Sequence, residues 1–418
     1  MLDRKTAPII SVIDEIKFVY PQKIILNEIV PLYWMKNVPN ATSRLDFYFD
    51  AGSMRGKSAL ASLTAGLIFS GTKEKDSTTF HNLLDDSGAY FDIGVTHEGA
   101  LVSFYALNDQ MLNIFRIFED TIENCIFPQK EIDELVNERK QKFLVNSEKV
   151  SFIAQREFQK NIFNASSYSS IIELTDYDDI CRSEIIDFFN KFYKIGLMKV
   201  VIVGDLSEKD VDYIAYVSKK WCVQTYPEFQ SNFSNKIGTT KLEKQDAIQS
   251  AIRVGKTLFN KKHEDFILFF ILNTILGDFF GSRLMKNIRE DKGYTYGIGS
   301  YLSELNKGGY FLIGTEVGKD VRDLALAEIK KEIELLQNEL ISDDELDLVK
   351  NYLLGQALKS ADGPYAMIDL FLAVDTLGLN LDFYNNFINK IHNVKPQELR
   401  DIARKYLNWE SMTIVTVG

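Results

Sequence analysis

The stretch GSRLMKNIREDKGYTYGIGS, Gly281 to Ser300, changes its period in the middle. Up to Asp291 the apolar residues keep helical spacing. Leu284 and Ile288 follow the small Ser282, with Arg283, Lys286, Arg289 and Glu290 among them. Gly293 ends this helix, and Tyr294 to Ser300 reads as a strand in which Tyr296 and Ile298 alternate with small residues. A helix, a glycine turn and an aromatic strand put Arg289 and Tyr296 on either side of one bend. A fixed guanidinium and a phenol beside an open strand edge suit a peptide carbonyl oxygen and the negative charge that develops on it. The same spacing also fits a structural pair, with Arg289 bound to a neighbouring carboxylate and Tyr296 packed in a core.

Working outward, the two halves of the chain repeat one plan. In the first, Lys23 to Leu26, Leu32 to Met35 and Leu45 to Phe49 read as strands, the last two separated by the break from Asn37 to Ala41. Helices are expected over Lys57 to Phe69, Thr78 to Ser87 and Gln110 to Asn124, and a hairpin over Tyr90 to Val95 and Ala100 to Ala106. A long charged helix starts near Glu131, more helix follows to about Tyr193, and the buried-type strand MKVVIV closes the half at Gly204. The second half offers a strand at Ala247 to Val254 and an apolar helix at Glu264 to Leu276. After the opening stretch come a hairpin across Asn306-Lys-Gly-Gly and a helix from Leu324 to Leu340. Ser342 and Glu345 form a capping box for the next helix, and the half ends with a helix over Glu398 to Tyr406 and the strand MTIVTVG. Glu131 with Glu345 and Gly204 with Gly418 give the same shift of about 214 residues, too long for a solenoid and right for a duplicated domain. The expected organisation is 1–224, a polar linker 225–244 containing Pro227 and Gly238, and 245–418. The fold class is α+β: two α/β-sandwich domains, each a mainly antiparallel sheet covered by helices.

Composition narrows the function. The 418 residues are 45% hydrophobic and 26% charged, ordinary for a globular chain with two cores. A formal charge of -11 leaves no basic surplus to neutralise phosphates, which argues against a nucleic-acid partner. Cys125, Cys181 and Cys222 are scattered and odd in number, which points to reduced thiols and a cytoplasmic setting. The N-terminal MLDRKTAPIISVIDEIKF mixes acidic with apolar residues and does not read as a signal peptide, and no run suits a bilayer, so no membrane is expected.

The pattern SRL…IRE.KG..YG resembles the C-terminal-domain signature of the pitrilysin, insulinase and mitochondrial processing peptidase family of zinc peptidases. The resemblance covers nearly the whole chain and implies a two-lobed, clamshell-forming architecture. It implies that Arg289 and Tyr296 assist catalysis from the half that carries no zinc. It also implies that Asp92, where the family often has an asparagine, and Tyr294 line the substrate chamber.

Active members of that family carry HxxEH on a helix just before Phe and Gly-Thr. Two histidines on one helix face grip zinc, and the intervening Glu activates the bound water. This chain keeps the frame LASLTAGLIFSGT, Leu60 to Thr72, but the motif positions are Ser62, Ala65 and Gly66, none of which replaces a histidine or a base. The distal carboxylate of the family would fall near Val145, with Glu148 close by. The four histidines are dispersed. His81 reads as a surface or cap residue, His97 as solvated at a hairpin turn, His263 as the residue before a helix and His392 as the end of one. GxSxG, GxxxxGK[ST] and GxGxxG are absent from the sequence.

The expected function follows from what is kept. The chain looks like a non-catalytic subunit of a heterodimeric zinc peptidase: no cofactor in itself, zinc in a homologous partner subunit, and peptide as substrate. Peptidase activity is expected only with that partner. A non-proteolytic scaffold, a peptide-binding protein of the same fold and a homodimer are the alternatives.

Overall fold

Residue alternation in Thr42–Phe49 sets the first sheet. Leu45, Phe47 and Phe49 point to one face and are fully buried, whereas Arg44 and Asp46 share the other and form an ion pair at 2.8 Å. Phe47 lies 4.8 Å from the ring of Phe118 and 6.0 Å from that of Trp221, so this face is the aromatic centre of the first core. Truncating Phe47 to alanine removes that packing at a cost of about 3–5 kcal/mol.

This is a computed structural model, in which residues 13–36, 38–164, 166–226, 228 and 234–418 are described. Most of the N-terminal segment read against a signal peptide, the break residue Asn37, and Pro227 and 229–233 of the expected linker lie outside them. The first part of the chain runs β1 (Gln22–Ile25), β2 (Pro31–Met35), β3 (Thr42–Phe49), α1 (Leu60–Gly66), α2 (Ser77–Asp86), β4 (Tyr90–Val95) and β5 (Ala100–Leu107). It continues through α3 (Met111–Asn124), α4 (Gln129–Ser147), α5 (Val150–Ile162), α6 (Arg182–Phe192), β6 (Leu197–Val203) and α7 (Glu208–Ser218). The remainder runs β7 (Gly238–Leu242), β8 (Gln249–Leu258), α8 (Phe266–Leu276), the π-helix Met285–Asp291, β9 (Ile298–Leu305) and β10 (Gly308–Gly318). It ends with α9 (Arg322–Asn338), α10 (Asp343–Ser360), α11 (Pro364–Asp375), α12 (Asp382–Asn393), α13 (Pro396–Tyr406) and β11 (Thr413–Val417).

The two sheets have the orders β1-β2-β6-β3-β5-β4 and β7-β11-β8-β10-β9. Duplication is visible in their wiring. β6 sits between a parallel neighbour, β2, and an antiparallel one, β3, and β11 sits likewise between β7 and β8. Each of these strands runs into a glycine at φ +143°, Gly204 and Gly418. A Cβ there would meet Ser43 of β3 at 2.4 Å in the first case and Ser250 of β8 at 2.5 Å in the second. Backbone handedness and close approach therefore both demand glycine at the two equivalent points.

Two compact units divide the chain: Tyr20–Thr257 with Gly314–Arg322 and Glu410–Gly418, and Met1–Val19 with Leu258–Ile313 and Asp323–Trp409. In the second, α8 is apolar all round because α10, α12, α13 and β9 pack against it. Several expectations are corrected. The helix read over Lys57 to Phe69 is confined to Leu60–Gly66, with turns on both sides. Helix does not continue unbroken to Tyr193: α5 ends at Ile162 and short 3-10 turns lead to α6. The second half of the segment read as a linker is strand β7, which pairs with β11 in register Thr413 to Gly238. The strand read from Tyr294 starts only at Ile298.

Candidate functional site

The motif helix α1 turns Leu60, Ala61, Leu63, Thr64 and Ala65 into the core. The Ser62 hydroxyl donates to the Ala59 carbonyl at 3.0 Å, so it is spent on its own helix and is not poised as a nucleophile. Ser62, Ala65 and Gly66 form one wall of a cavity of about 610 Å³. Phe91, Asp92 and Val95 of β4 form another, and Glu131, Glu134, Glu138 and Arg139 of α4 a third. A Cβ on Gly66 would stand 3.0 Å from Leu135 and 3.7 Å from the Arg139 Nη2. These surroundings do not fit zinc: the motif positions offer no imidazole, and a guanidinium fills the space beside them. Among the described residues no group of three or more His, Cys, Asp or Glu side chains is placed to hold a metal ion.

The position read as the family's distal carboxylate is Val145, and neither it nor Glu148 lines this cavity. Glu131, Glu134 and Glu138, a turn or more earlier on α4, face the cavity, while Val145 is exposed and Glu148 pairs with Lys244 at 2.9 Å. Asp92 is exposed on β4 and shares the cavity with the motif positions. β4 is the last strand of its sheet, so its outer edge is open to an added strand.

The histidines settle individually. His81 is exposed in the interior of α2 and lines this cavity. His97, expected in solvent, is half-buried; its Nε2 lies 2.9 Å from the Gln159 amide nitrogen, and burial lowers its pKa. His263 stacks on Phe259 at 4.1 Å and accepts from the Asp265 N–H, and His392 lies 2.8 Å from the Ile13 carbonyl oxygen.

In the other unit, Arg289 lies on the π-helix Met285–Asp291, whose wide winding shows in the 3.0 Å bond from the Lys292 N–H to the Asn287 carbonyl. Leu284 and Ile288 are fully buried and fix one side of this helix. Asn287 donates to Glu328 at 2.9 Å and to Glu332 at 2.6 Å, tying it to α9. Arg283 donates from Nε and Nη2 to the two carboxylate oxygens of Glu345, 2.8 and 2.7 Å, tying it to α10. Ser342 accepts from the Glu345 N–H at 3.3 Å as a cap, but the Glu345 carboxylate is committed to Arg283 and does not close the expected capping box. Burial dominates Glu332 and raises its carboxyl pKa; the Asn287 bond chiefly lowers that of Glu328.

Gly293, at φ +65°, stops the helix, and the Tyr294 N–H bonds back to the Ile288 carbonyl. Thr295 then makes a turn of its own, its Oγ1 lying 3.0 Å from the Gly297 carbonyl oxygen and 3.1 Å from the Gly297 nitrogen. The aromatic alternation read as strand is therefore a loop. Tyr296 stands on it 92% exposed, without a hydrogen-bond partner among the described residues. Tyr294 is half-buried. The Arg289 guanidinium lies 4.9 Å above the Phe280 ring, with no carboxylate within ion-pair distance among the described residues. Neither bland arrangement, an Arg289 salt bridge or a core Tyr296, is present. The two side chains share one helix-and-loop element, and no hydrogen bond joins them among the described residues.

Sequence reading did not single out Arg139 or Asn287, and it named Arg283 without its partner Glu345. The only signal for Arg139 was its spacing of four from Leu135 on α4, the residue that packs against Gly66.

Two family models match the chain. Residues 33–175 match the family described as Insulinase (Peptidase family M16), and residues 179–353 match that described as Peptidase M16 inactive domain. The chain is similar to the Non-peptidase homolog YmxG of Helicobacter pylori, 22% identical over 381 residues that cover 88% of this chain and 86% of that protein. It is similar to an Uncharacterized zinc protease of Rickettsia bellii, 23% identical over 382 residues, 87% of this chain and 88% of the other. Its fold matches the crystal structure of a peptidase M16 inactive domain from Pseudomonas fluorescens with a TM-score of 0.86 at 21% identity, over 96% of this chain and 98% of that one.

Proposed function

This chain belongs to the insulinase (M16) peptidase family, and from that premise we propose that it is the zinc-less subunit of a two-chain peptidase. Ser62, Ala65 and Gly66 make it an inactive-type homologue. In this reading the metal and its base reside on a second, homologous chain, and Arg289 and Tyr296 bind the carbonyl oxygen of the peptide bond being cut. The observation that carries it is the state of those two side chains. Among the described residues Arg289 has no ion-pair partner and lies over Phe280, and the Tyr296 hydroxyl has no hydrogen-bond partner at 92% exposure. A packing role would bury or pair them. Two such donors aimed at a developing oxyanion would contribute about 2–4 kcal/mol each to lowering the barrier.

The test mixes this chain with a homologue that carries HxxEH and follows cleavage of an unfolded peptide. Arg289→Ala is expected to lower kcat/KM about 100-fold while the two chains still co-elute. Full activity of that mixture would overturn the reading. A second reading, a peptide-binding protein without a peptidase partner, is favoured by the open edge of β4 beside its cavity. It is distinguished by peptide binding to the chain alone with no gain of cleavage in any mixture. Either reading suits a cytoplasmic protein, in keeping with three free cysteines, of which Cys125 and Cys222 are pushed by burial to pKa values of about 11 and about 12. Among the described residues no helix is long and apolar enough to cross a membrane.

A further inference from the structure

A second cavity, of about 460 Å³, adjoins the first and shares Ser62, Val95 and Arg139 with it. The two differ in sign. Asp92, Glu131, Glu134 and Glu138 line the first. The second has Arg139, Lys142 and Arg156 on its wall and no carboxylate among its lining residues.

The three cations are not equivalent. Arg156 is committed: it donates to the Ile172 carbonyl and, at 2.7 Å, to the Glu173 carboxylate. Lys142 is exposed and has no ion pair among the described residues. Arg139 is half-buried beside Gly66, with no carboxylate within ion-pair distance among the described residues, and its Nε is buried without a hydrogen-bond partner. The buried Nε is out of reach of solvent, but the two Nη groups have no hydrogen-bond or ion-pair partner among the described residues either, and it is these that an acceptor in the cavity would engage. The planar guanidinium fork matches the two oxygens of a carboxylate, with Lys142 as a second, solvated positive charge. Val95, common to both cavities, is the last residue of β4, so a chain added to that open edge would end or turn at Arg139.

We propose that this second cavity is a carboxylate-binding site, anchored by Arg139 and assisted by Lys142, that receives the carboxylate of a peptide lying along β4. The guanidinium then supplies, at a metal-motif helix without metal ligands, a fixed positive charge for an acidic group. The site needs no second chain, so it stands or falls separately from the subunit reading above.

The experiment uses the whole chain, alone, and a fluorescein-labelled Ala/Ser peptide in three forms. These are the free C-terminal acid, the C-terminal amide, and the amide with one internal Glu. Fluorescence polarisation is expected to show the acid binding about tenfold more tightly than the plain amide. Equal gain from the internal Glu identifies a side-chain carboxylate as an accepted source, and gain from the acid alone identifies the chain terminus; both support the site. Arg139→Gln should abolish the preference and Arg139→Lys should retain part of it. Lys142→Gln, at an exposed position that leaves folding intact, should reduce it about threefold. The proposal is overturned if all three peptides bind alike, if none binds, or if the Lys142→Gln chain and a folded Arg139→Gln chain both keep the full preference for the acid.

Discussion

The surroundings of Ser62 and those of Arg289 contrast in where the sequence has been spent. Around Ser62 the frame is regular: a helix faces a second helix across a cavity, and the motif positions are small, internally bonded or pressed against Leu135. Around Arg289 the frame is irregular, a π-helix held from both sides, and Arg289 and Tyr296 on it have no ion-pair or hydrogen-bond partner among the described residues. A fold can keep a chemical frame for its packing alone, as α1 does. Tyr296, displayed at 92% exposure, is not held there by packing, and Arg289 packs only its guanidinium face on Phe280. The contrast is what the proposed role of Arg289 and Tyr296 rests on, and Arg139, on the cavity wall beside Gly66, is where the first region departs from it.

The largest effect should separate the two regions by activity. In the mixed peptidase, Tyr296→Phe removes only an exposed hydroxyl, and cleavage should drop about 100-fold with no change in the melting temperature. Ser62→Ala in the same mixture should leave cleavage unchanged. Equal losses would erase the contrast.

Rebuilding the zinc motif is the next test. Ser62→His, Ala65→Glu and Gly66→His together should fail to bind stoichiometric zinc by metal analysis, because a side chain at residue 66 meets Leu135 at 3.0 Å and faces Arg139. The triple variant should lose about 2 kcal/mol from overpacking in a denaturant titration. Full zinc occupancy would show that Arg139 moves aside more easily than its packing indicates.

Arg283→Ala probes how the π-helix is held. Its carboxylate partner Glu345 would be left unpaired at 29% side-chain exposure, so the loss should be about 2 kcal/mol, between surface and fully buried pairs. Peptide-cleavage support should fall with it, since Arg289 rides on the same helix.

The smallest effect is a pH slope in the first unit. Burial holds the His97 pKa below 6.5 in the folded chain, so the unfolded chain binds more protons in the window beneath that value. The contribution is whole above about 6.5 and is lost as pH falls towards the folded pKa. Thermal melts between about pH 7.5 and about pH 5.5 should show the decline, and His97→Gln should flatten it by under about 1 kcal/mol.

Much of the fold was legible because burial follows period. β3, β6 and β11 announce themselves by β-branched and aromatic runs, and α8 by eleven consecutive residues of which most are apolar. The loop at Tyr294 was misread because YTYGIG alternates as a strand does. What decides it is a single Thr295 hydroxyl lying between the nitrogen and the carbonyl oxygen of Gly297. The motif positions 62, 65 and 66 could be counted from Phe69-Ser-Gly-Thr72, since they lie on one helix. Arg139 could not, because its nearness to Gly66 is made by packing between α1 and α4, which sequence spacing does not carry.

The π-helix has one more implication. A turn that takes in an extra residue lengthens the register of its amide bonds, and here the winding depends on outside anchors at Asn287 and Arg283 more than on its own ladder. Its amide protons should therefore trade with deuterium through a local opening well before those of α8 beside it in sequence. Whatever docks on Arg289 would slow that exchange, which makes the rate at 285–291 a direct reporter of occupancy in the absence of any turnover.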